Sequence, residues 1–232
     1  MKTKLSIILV HGFWGGAAHW SKVIVELVNK GYEVIRAVEM PLTALADDVE
    51  RTRKMIAQQD GPVLLVGHSY GGAVITEVGN QPNVIGLVYI AAFAPDTGES
   101  PGGITQKHLP VAAPNLTPDS DGYLWVKPAL YHESFCQDLS PMEGLVLGII
   151  QKAPLASTFG QSITDPAWKY KPSYYQISSE DRMIAPENQE WMSSRIGAKK
   201  IITLAASHAS LASMPVEVAG FIDEAAVEFS KG

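Results

Sequence analysis

The 232-residue sequence predicts an α/β protein, a mostly parallel, doubly wound sheet with a small helical cap insertion. Three observations predict it. Short apolar runs alternate with amphipathic stretches, which is the rhythm of βαβ units. The runs are continuously apolar rather than alternating, as in strands buried on both faces of a parallel sheet. The rhythm lapses at Pro95 and resumes after about Asp165.

The elements follow in order. Leu5 to His11 is a Val- and Ile-containing apolar run and reads as the first strand. Ala18 to Lys30 places Trp20, Val23, Ile24, Leu27 and Val28 at helical spacing and stops at Gly31, a natural C-cap. Tyr32 to Val38 reads as the second strand. Pro41 to Gln59, with Leu42, Leu45, Val49 and Ile56 among charges, reads as an amphipathic helix on the sheet. Pro62 to Val66 is a third strand, Ala73 to Val78 continues as helix, and Val84 to Phe93 is a long apolar strand. After the lapse, Ser173 to Ser178 and Lys199 to Ala205 read as strands around a Pro186–Arg195 helix. Pro215 to Phe229 closes as an amphipathic helix with Val216, Val218, Phe221, Ile222, Ala225 and Phe229 inward.

Residues 95–165 are rich in Pro, Gly and Ser, with scattered aromatics. A structureless loop of that length is improbable inside a compact domain, so the segment is expected to be a mostly helical cap or lid, with helices near Ala129–Leu139 and Met142–Ile150. The expected division is a core of residues 1–94 and 166–232 around this insertion.

Composition narrows the function. A net charge of −6 and a pI near 5.5, without basic clusters, argue against nucleic acid or an anionic membrane as partner. A small-molecule substrate is expected, with the chain acting as a monomer or homodimer. The single cysteine, Cys136, allows no internal disulfide and reads as a packed thiol. No metal set and no cofactor are expected, since ligand spacings such as H-E-x-x-H are absent. Lys2 and Lys4 before Leu5–Val10 imitate a signal peptide. That apolar stretch runs straight into His11-Gly12 and lacks a cleavage site, so a soluble, cytoplasmic protein is expected.

The chemistry centres on Pro62 to Ala73, PVLLVGHSYGGA. A serine flanked by glycines at plus and minus two, between a strand and a helix, fits the nucleophile elbow, a sharp strained turn where a flanking Cβ would crowd the backbone. In an open parallel sheet, sites form at the carboxyl ends of strands. Four predicted strands end there in functional residue types: His11-Gly12-Phe13, Ser69, Asp181 and His208. A serine hydroxyl needs a base, and the base needs a group to fix its tautomer. Ser69, Asp181 and His208 occur in the order nucleophile, acid, base.

That order, the GHSYGG elbow, the segment Asp181-Arg182-Met183-Ile184-Ala185-Pro186 and the late Ser207-His208 resemble the α/β-hydrolase superfamily. Within it the likeness is to the small esterase and hydroxynitrile lyase group that includes plant methylesterases, and it covers Leu5 to Phe93 and Ser173 to Phe229. The resemblance implies the α/β-hydrolase fold, Ser69 as nucleophile, His208 as base and Asp181 as orienting acid. It also implies an oxyanion hole from the backbone N–H groups of Phe13 and Tyr70, with an acyl-enzyme on Ser69. Glu180 and Asp96 are the rival acids, and His11, His19 and His68 read as structural.

The scarcity of charge around the motifs favours a small uncharged ester, thioester or lactone. Trp14, Trp125, Tyr131, Phe135 and Leu145 are the candidates for its pocket. A hydroxynitrile lyase is the nearest alternative, but the resemblance implies a Thr where Gly12 stands and a Lys where Ala209 stands. A hydrolase-fold ligand receptor with little turnover is the other alternative.

Overall fold

The computed structural model describes residues 5–231, so Lys2 and Lys4 of the signal-peptide comparison lie outside the described residues. The chain runs β1 (Ser6–Val10), α1 (Ser21–Asn29), β2 (Ile35–Val38), α2 (Leu45–Ala57), β3 (Val63–His68), α3 (Tyr70–Val78) and β4 (Val84–Ile90). It then passes through α4 (Pro101–Thr105), β5 (Leu116–Pro118), β6 (Leu124–Val126), α5 (Tyr131–Phe135) and α6 (Pro141–Ile149). β7 (Ser173–Ser178), α7 (Pro186–Arg195), β8 (Lys200–Leu204), α8 (Ser210–Ser213) and α9 (Pro215–Phe229) complete it.

The six long-range strands form one parallel sheet in the order β2-β1-β3-β4-β7-β8. Successive side chains point to opposite faces. Ile8, Val10, Leu65 and Tyr89 therefore join one core cluster with residues of α2 and α3. Ile7, Leu9, Val66 and Val88 join the other with residues of α1 and α9. Each fully buried aliphatic side chain contributes about 1.5–3 kcal/mol, and these two layers account for the apolar runs of the sequence. β1 leads outward to β2, whereas the chain returns to β3 on its other side. The crevice at the carboxyl ends of β1 and β3 is thus the topological switch point, where open α/β sheets bind ligands.

Several expected details differ. β2 is shorter than Tyr32–Val38, and α3 starts at Tyr70 instead of Ala73. Val216 is exposed, because it lies two residues, about 200° of helix, from Val218 in the buried stripe of α9. In α2 the buried positions are Leu45, Asp48, Thr52 and Ile56, with Val49 only partly covered. Residues 95–165 hold α4, α5 and α6, but also an antiparallel hairpin of β5 and β6 that the helical expectation lacked. Its turn is built on Asp119, which accepts from the Asp121 and Tyr123 amides, and on Gly122 at φ +85°. Among the described residues, no helix is long and apolar enough to cross a membrane.

Candidate active site

Ser69 lies between the end of β3 and the first residue of α3, with φ 55° and ψ −125°. A non-glycine residue there costs on the order of 1–3 kcal/mol, and the neighbouring strand end holds it. The Ser69 amide donates to the Ile90 carbonyl at 3.3 Å, and the Ser69 carbonyl accepts from the Gly72 and Phe93 amides, each at 3.0 Å. The turn is tight against β1: a Cβ at Gly71 would lie 2.3 Å from the Val10 carbonyl oxygen. Gly12, after β1, is equally close from the other side, since a Cβ there would stand 2.4 Å from Ser69 Cβ and 2.9 Å from its Oγ. Any side chain at 12 would push the serine.

Asp181 lies past the end of β7 and is buried. Its Oδ1 accepts from the Met183 and Ile184 amides at 2.7 and 2.9 Å. Its Oδ2 accepts from Gln189 Nε2 at 2.8 Å and pairs with His208 Nδ1 at 2.7 Å. Each oxygen receives two partners, so the carboxylate acts purely as acceptor and the His208 proton sits on Nδ1. The other ring nitrogen, His208 Nε2, is buried and has no protein partner. It is left free to take a proton.

His208 is itself fixed. Its carbonyl oxygen accepts from His68 Nε2 at 2.8 Å, so His68 carries its proton there, and burial holds the His68 pKa well below the ordinary imidazole value. Phe135 stands edge-on to the His208 ring at 4.9 Å and 87°. His11 bonds through Nδ1 to the Gly12 carbonyl and through Nε2 to the Met40 amide. His19 is neutral, with burial pushing its pKa down to about 4. The rival acids are engaged elsewhere: Asp96 pairs with Lys169 at 2.5 Å, and Glu180 is exposed.

A cavity of about 50 Å³ opens on Ser69. Phe13, Trp14, Phe93, Leu116, Phe159, Met183 and Ile184 line it with small residues of the segment after α4, and no charged side chain is among them. Of the expected pocket residues, Trp14 is in place. Trp125 is not, because its indole donates to Asp119 Oδ2 in the hairpin. Tyr131 and Phe135 are fully buried and stacked on each other at 5.0 Å inside the insertion. Leu145 faces solvent at 55% exposure. A larger cavity of about 210 Å³ lies between α6 and the Ala209–Ala212 segment, and Ser69 does not line it.

Phe13 and Tyr70, whose amides the resemblance implies as oxyanion donors, lie against each other with rings stacked at 3.9 Å and 12°. Tyr70 opens α3, where leading amides lack intrahelical partners. Trp14, the next residue of the β1 loop, has φ 58°. It is clamped by the insertion: its amide donates to the Lys152 carbonyl, its indole to the Leu124 carbonyl, and its own carbonyl accepts from Tyr131 Oη. Gln189 and Asp48, both buried in this region, did not stand out from the sequence. Among the described residues, no group of three or more His, Cys, Asp or Glu is placed to hold a metal ion.

Comparison with known proteins agrees with this fold. The alpha/beta hydrolase family matches residues 7–221. Methylesterase 2 of Arabidopsis thaliana is 27% identical over 236 residues, covering 88% of each chain. The solved structure of polyneuridine aldehyde esterase superposes with a TM-score of 0.83 at 19% identity, covering 97% of this chain and 100% of that one. A pyrethroid hydrolase superposes with a TM-score of 0.79 at 23% identity, again covering 97% and 100%.

Proposed function

The chain belongs to the alpha/beta hydrolase family, and from that premise we propose that it is a serine hydrolase cleaving a small uncharged carboxylic ester, thioester or lactone through an acyl-enzyme on Ser69. An esterase-like activity accords with the methylesterase relatives and the esterase and pyrethroid hydrolase neighbours. The observation that carries the finer reading is His208: Nδ1 is bonded to Asp181, and Nε2 is buried, unpartnered and available.

In the proposed course, Ser69 Oγ attacks the substrate carbonyl carbon while His208 Nε2 takes the hydroxyl proton, and Asp181 stabilises the imidazolium that forms. The carbonyl π pair moves onto oxygen, which accepts from the Phe13 and Tyr70 amides; each such donor contributes about 3–4 kcal/mol of transition-state stabilisation. Collapse re-forms the carbonyl and breaks the bond to the leaving oxygen or sulfur, which takes the proton from His208. Water then repeats the cycle on the acyl-serine and releases the acid.

The uncharged walls of the Ser69 cavity support an uncharged substrate, because an ionised group there would lose hydration without a partner. Its size supports a small group next to the carbonyl. The lyase alternative meets a steric objection: a threonine in place of Gly12 would overlap Ser69 as it now stands. The test is a pre-steady-state burst with p-nitrophenyl acetate and butyrate on wild type and Ser69→Ala, with mass spectrometry of trapped protein. A stoichiometric burst and an acyl adduct on Ser69, absent in the variant, are expected. Ligand binding without burst or adduct would hand the reading to a receptor or a lyase.

A further inference from the structure

Behind the elbow lies a buried carboxyl that the proposed chemistry does not use. Asp48 of α2 is wholly inaccessible, and among the described residues it forms no ion pair. Its Oδ1 accepts from the Leu42 amide and its Oδ2 from the Tyr70 hydroxyl, both at 2.8 Å. Its backbone carbonyl accepts from Thr52 Oγ1, also at 2.8 Å. An apolar pair would fill the same volume without the cost of burying a carboxyl. What the polar pair adds is direction: it locks the tyrosine ring in rotation and in tilt.

That ring is the one on which Phe13 stacks. Tyr70 and Phe13 are also the two residues whose amides would receive the oxyanion. They come from the neighbouring strand ends of β3 and β1, which the ladder aligns as far as Val10 and Gly67; Phe13 and Tyr70 lie beyond the last ladder pair, where the ring stack is a further link between them. Oxyanion donors must lie about 2.7–3.1 Å from the developing charge, a tolerance smaller than the slide that a free ring stack permits.

We propose that Asp48 is a positioning residue of the oxyanion hole: its hydrogen bond to Tyr70 fixes the ring stack with Phe13, and the stack sets the spacing of the two amides. The proposal rests on the serine-hydrolase reading of Ser69. Leu42, held by the other carboxyl oxygen, has φ 63°, and its own carbonyl accepts from the Leu155 amide, so the same carboxyl anchors the loop before α2 against the insertion.

The experiment compares wild type with Tyr70→Phe, Asp48→Asn and Asp48→Ala. It reads kcat and KM for p-nitrophenyl acetate, burst amplitude, and inhibition by an alkyl trifluoromethyl ketone, which forms a tetrahedral adduct on the serine. Tyr70→Phe keeps the stack and loses only the hydroxyl. It is expected to lower kcat about 10- to 100-fold with KM little changed, and to weaken the ketone by the same factor. Asp48→Asn still accepts from Leu42 and pairs with the hydroxyl, so it should recover most of what Asp48→Ala loses. Tyr70→Phe with wild-type kcat and ketone affinity, altered only in its urea midpoint, would show a purely structural pair and overturn the proposal. A wild type with no burst and no Ser69 adduct would overturn the serine-hydrolase reading and this proposal with it, so the two failures are distinguishable.

Discussion

Asp181→Asn tests the orienting role proposed for Asp181. The carboxylate sits among four partners: two backbone amides on Oδ1, with Gln189 Nε2 and His208 Nδ1 on Oδ2. An asparagine oxygen must occupy the Oδ1 position, because placing an NH₂ there would face two amides with a donor. Its NH₂ then takes the Oδ2 position, where it opposes Gln189 Nε2. Gln189 cannot simply turn over, since its Oε1 accepts from the Ser178 amide. The NH₂ also meets His208 Nδ1 and can bond only to a ring with no proton there. The proton moves to Nε2, the tautomer that cannot act as base. The expected loss in kcat is about 10⁴-fold, as for acid-to-amide changes in other triads, or about 5.5 kcal/mol. The donor conflict adds about 1–3 kcal/mol of destabilisation. Steady-state kinetics with p-nitrophenyl acetate, alongside urea unfolding, measure both, with Glu180→Gln as the control expected near wild type. A folded Asp181→Asn within 10-fold of wild type would refute this account of His208, and a severe loss in Glu180→Gln would move the acid by one residue.

Three further outcomes are expected. Ser69→Ala and His208→Ala should each remove nearly all turnover, and the double variant should be little worse than either, because such residues act as a unit; multiplicative losses in kcat would contradict it. Phe135→Ala removes a fully buried ring edge-on to His208 and should destabilise by about 3–5 kcal/mol, read from the urea midpoint. For Asp48, burial raises the pKa from 3.8 to about 6, against the lowering effects of the Leu42 amide, the Tyr70 hydroxyl and Lys152, with Asp47 raising it further. The native state therefore takes up a proton between those values. Stability from this group is complete below about pH 4 and lost as pH rises through about 6, by at most about 3 kcal/mol. Asp48→Asn should flatten that fall in a series of urea unfolding curves from pH 4 to 7, and a wild-type advantage that grows with pH would contradict the sign.

The central strands were legible because both of their faces are buried, which makes runs such as Pro62–Val66 continuously apolar, whereas the edge strands β2 and β8 are largely exposed or half-buried. Ser69 and the contacting pair Asp181 and His208 could be singled out as candidates because a parallel sheet forms its sites past the strand ends. Glu180 and Asp181 both lie past β7, and pointing directions separate them: one is exposed, the other buried against His208. The pocket was less legible. Trp125, Tyr131, Phe135 and Leu145 are apolar residues of the insertion, and apolar character cannot distinguish a cavity wall from the interior of a cap. The walls come instead from Leu116, Phe159, Met183 and Ile184, whose meeting depends on tertiary placement of separate loops. Gln189 left no signal, since it acts by reaching from α7 back to a carboxylate. Asp48 did leave one: positions 45, 48, 52 and 56 keep one helical phase, so a carboxyl and a hydroxyl stand in an apolar stripe. The hairpin was hidden by strands of three residues, too short to show alternation.

The clamp on Trp14 ties residues 95–165 to the loop that follows β1. Three hydrogen bonds from Leu124, Tyr131 and Lys152 rivet the insertion to the residue beside Phe13. A cap that swung away as one body would tear out those rivets and dismantle the amide pair at the moment of substrate arrival. Admission and chemistry would then exclude each other. The opposite rim is tied by the Ala112 amide on the Arg182 carbonyl and by Asn188 Nδ2 on the His108 carbonyl, and between those ties Leu109 and Val111 stand 65% and 74% exposed. The Trp14 side of the insertion is bolted to the loop that carries Phe13.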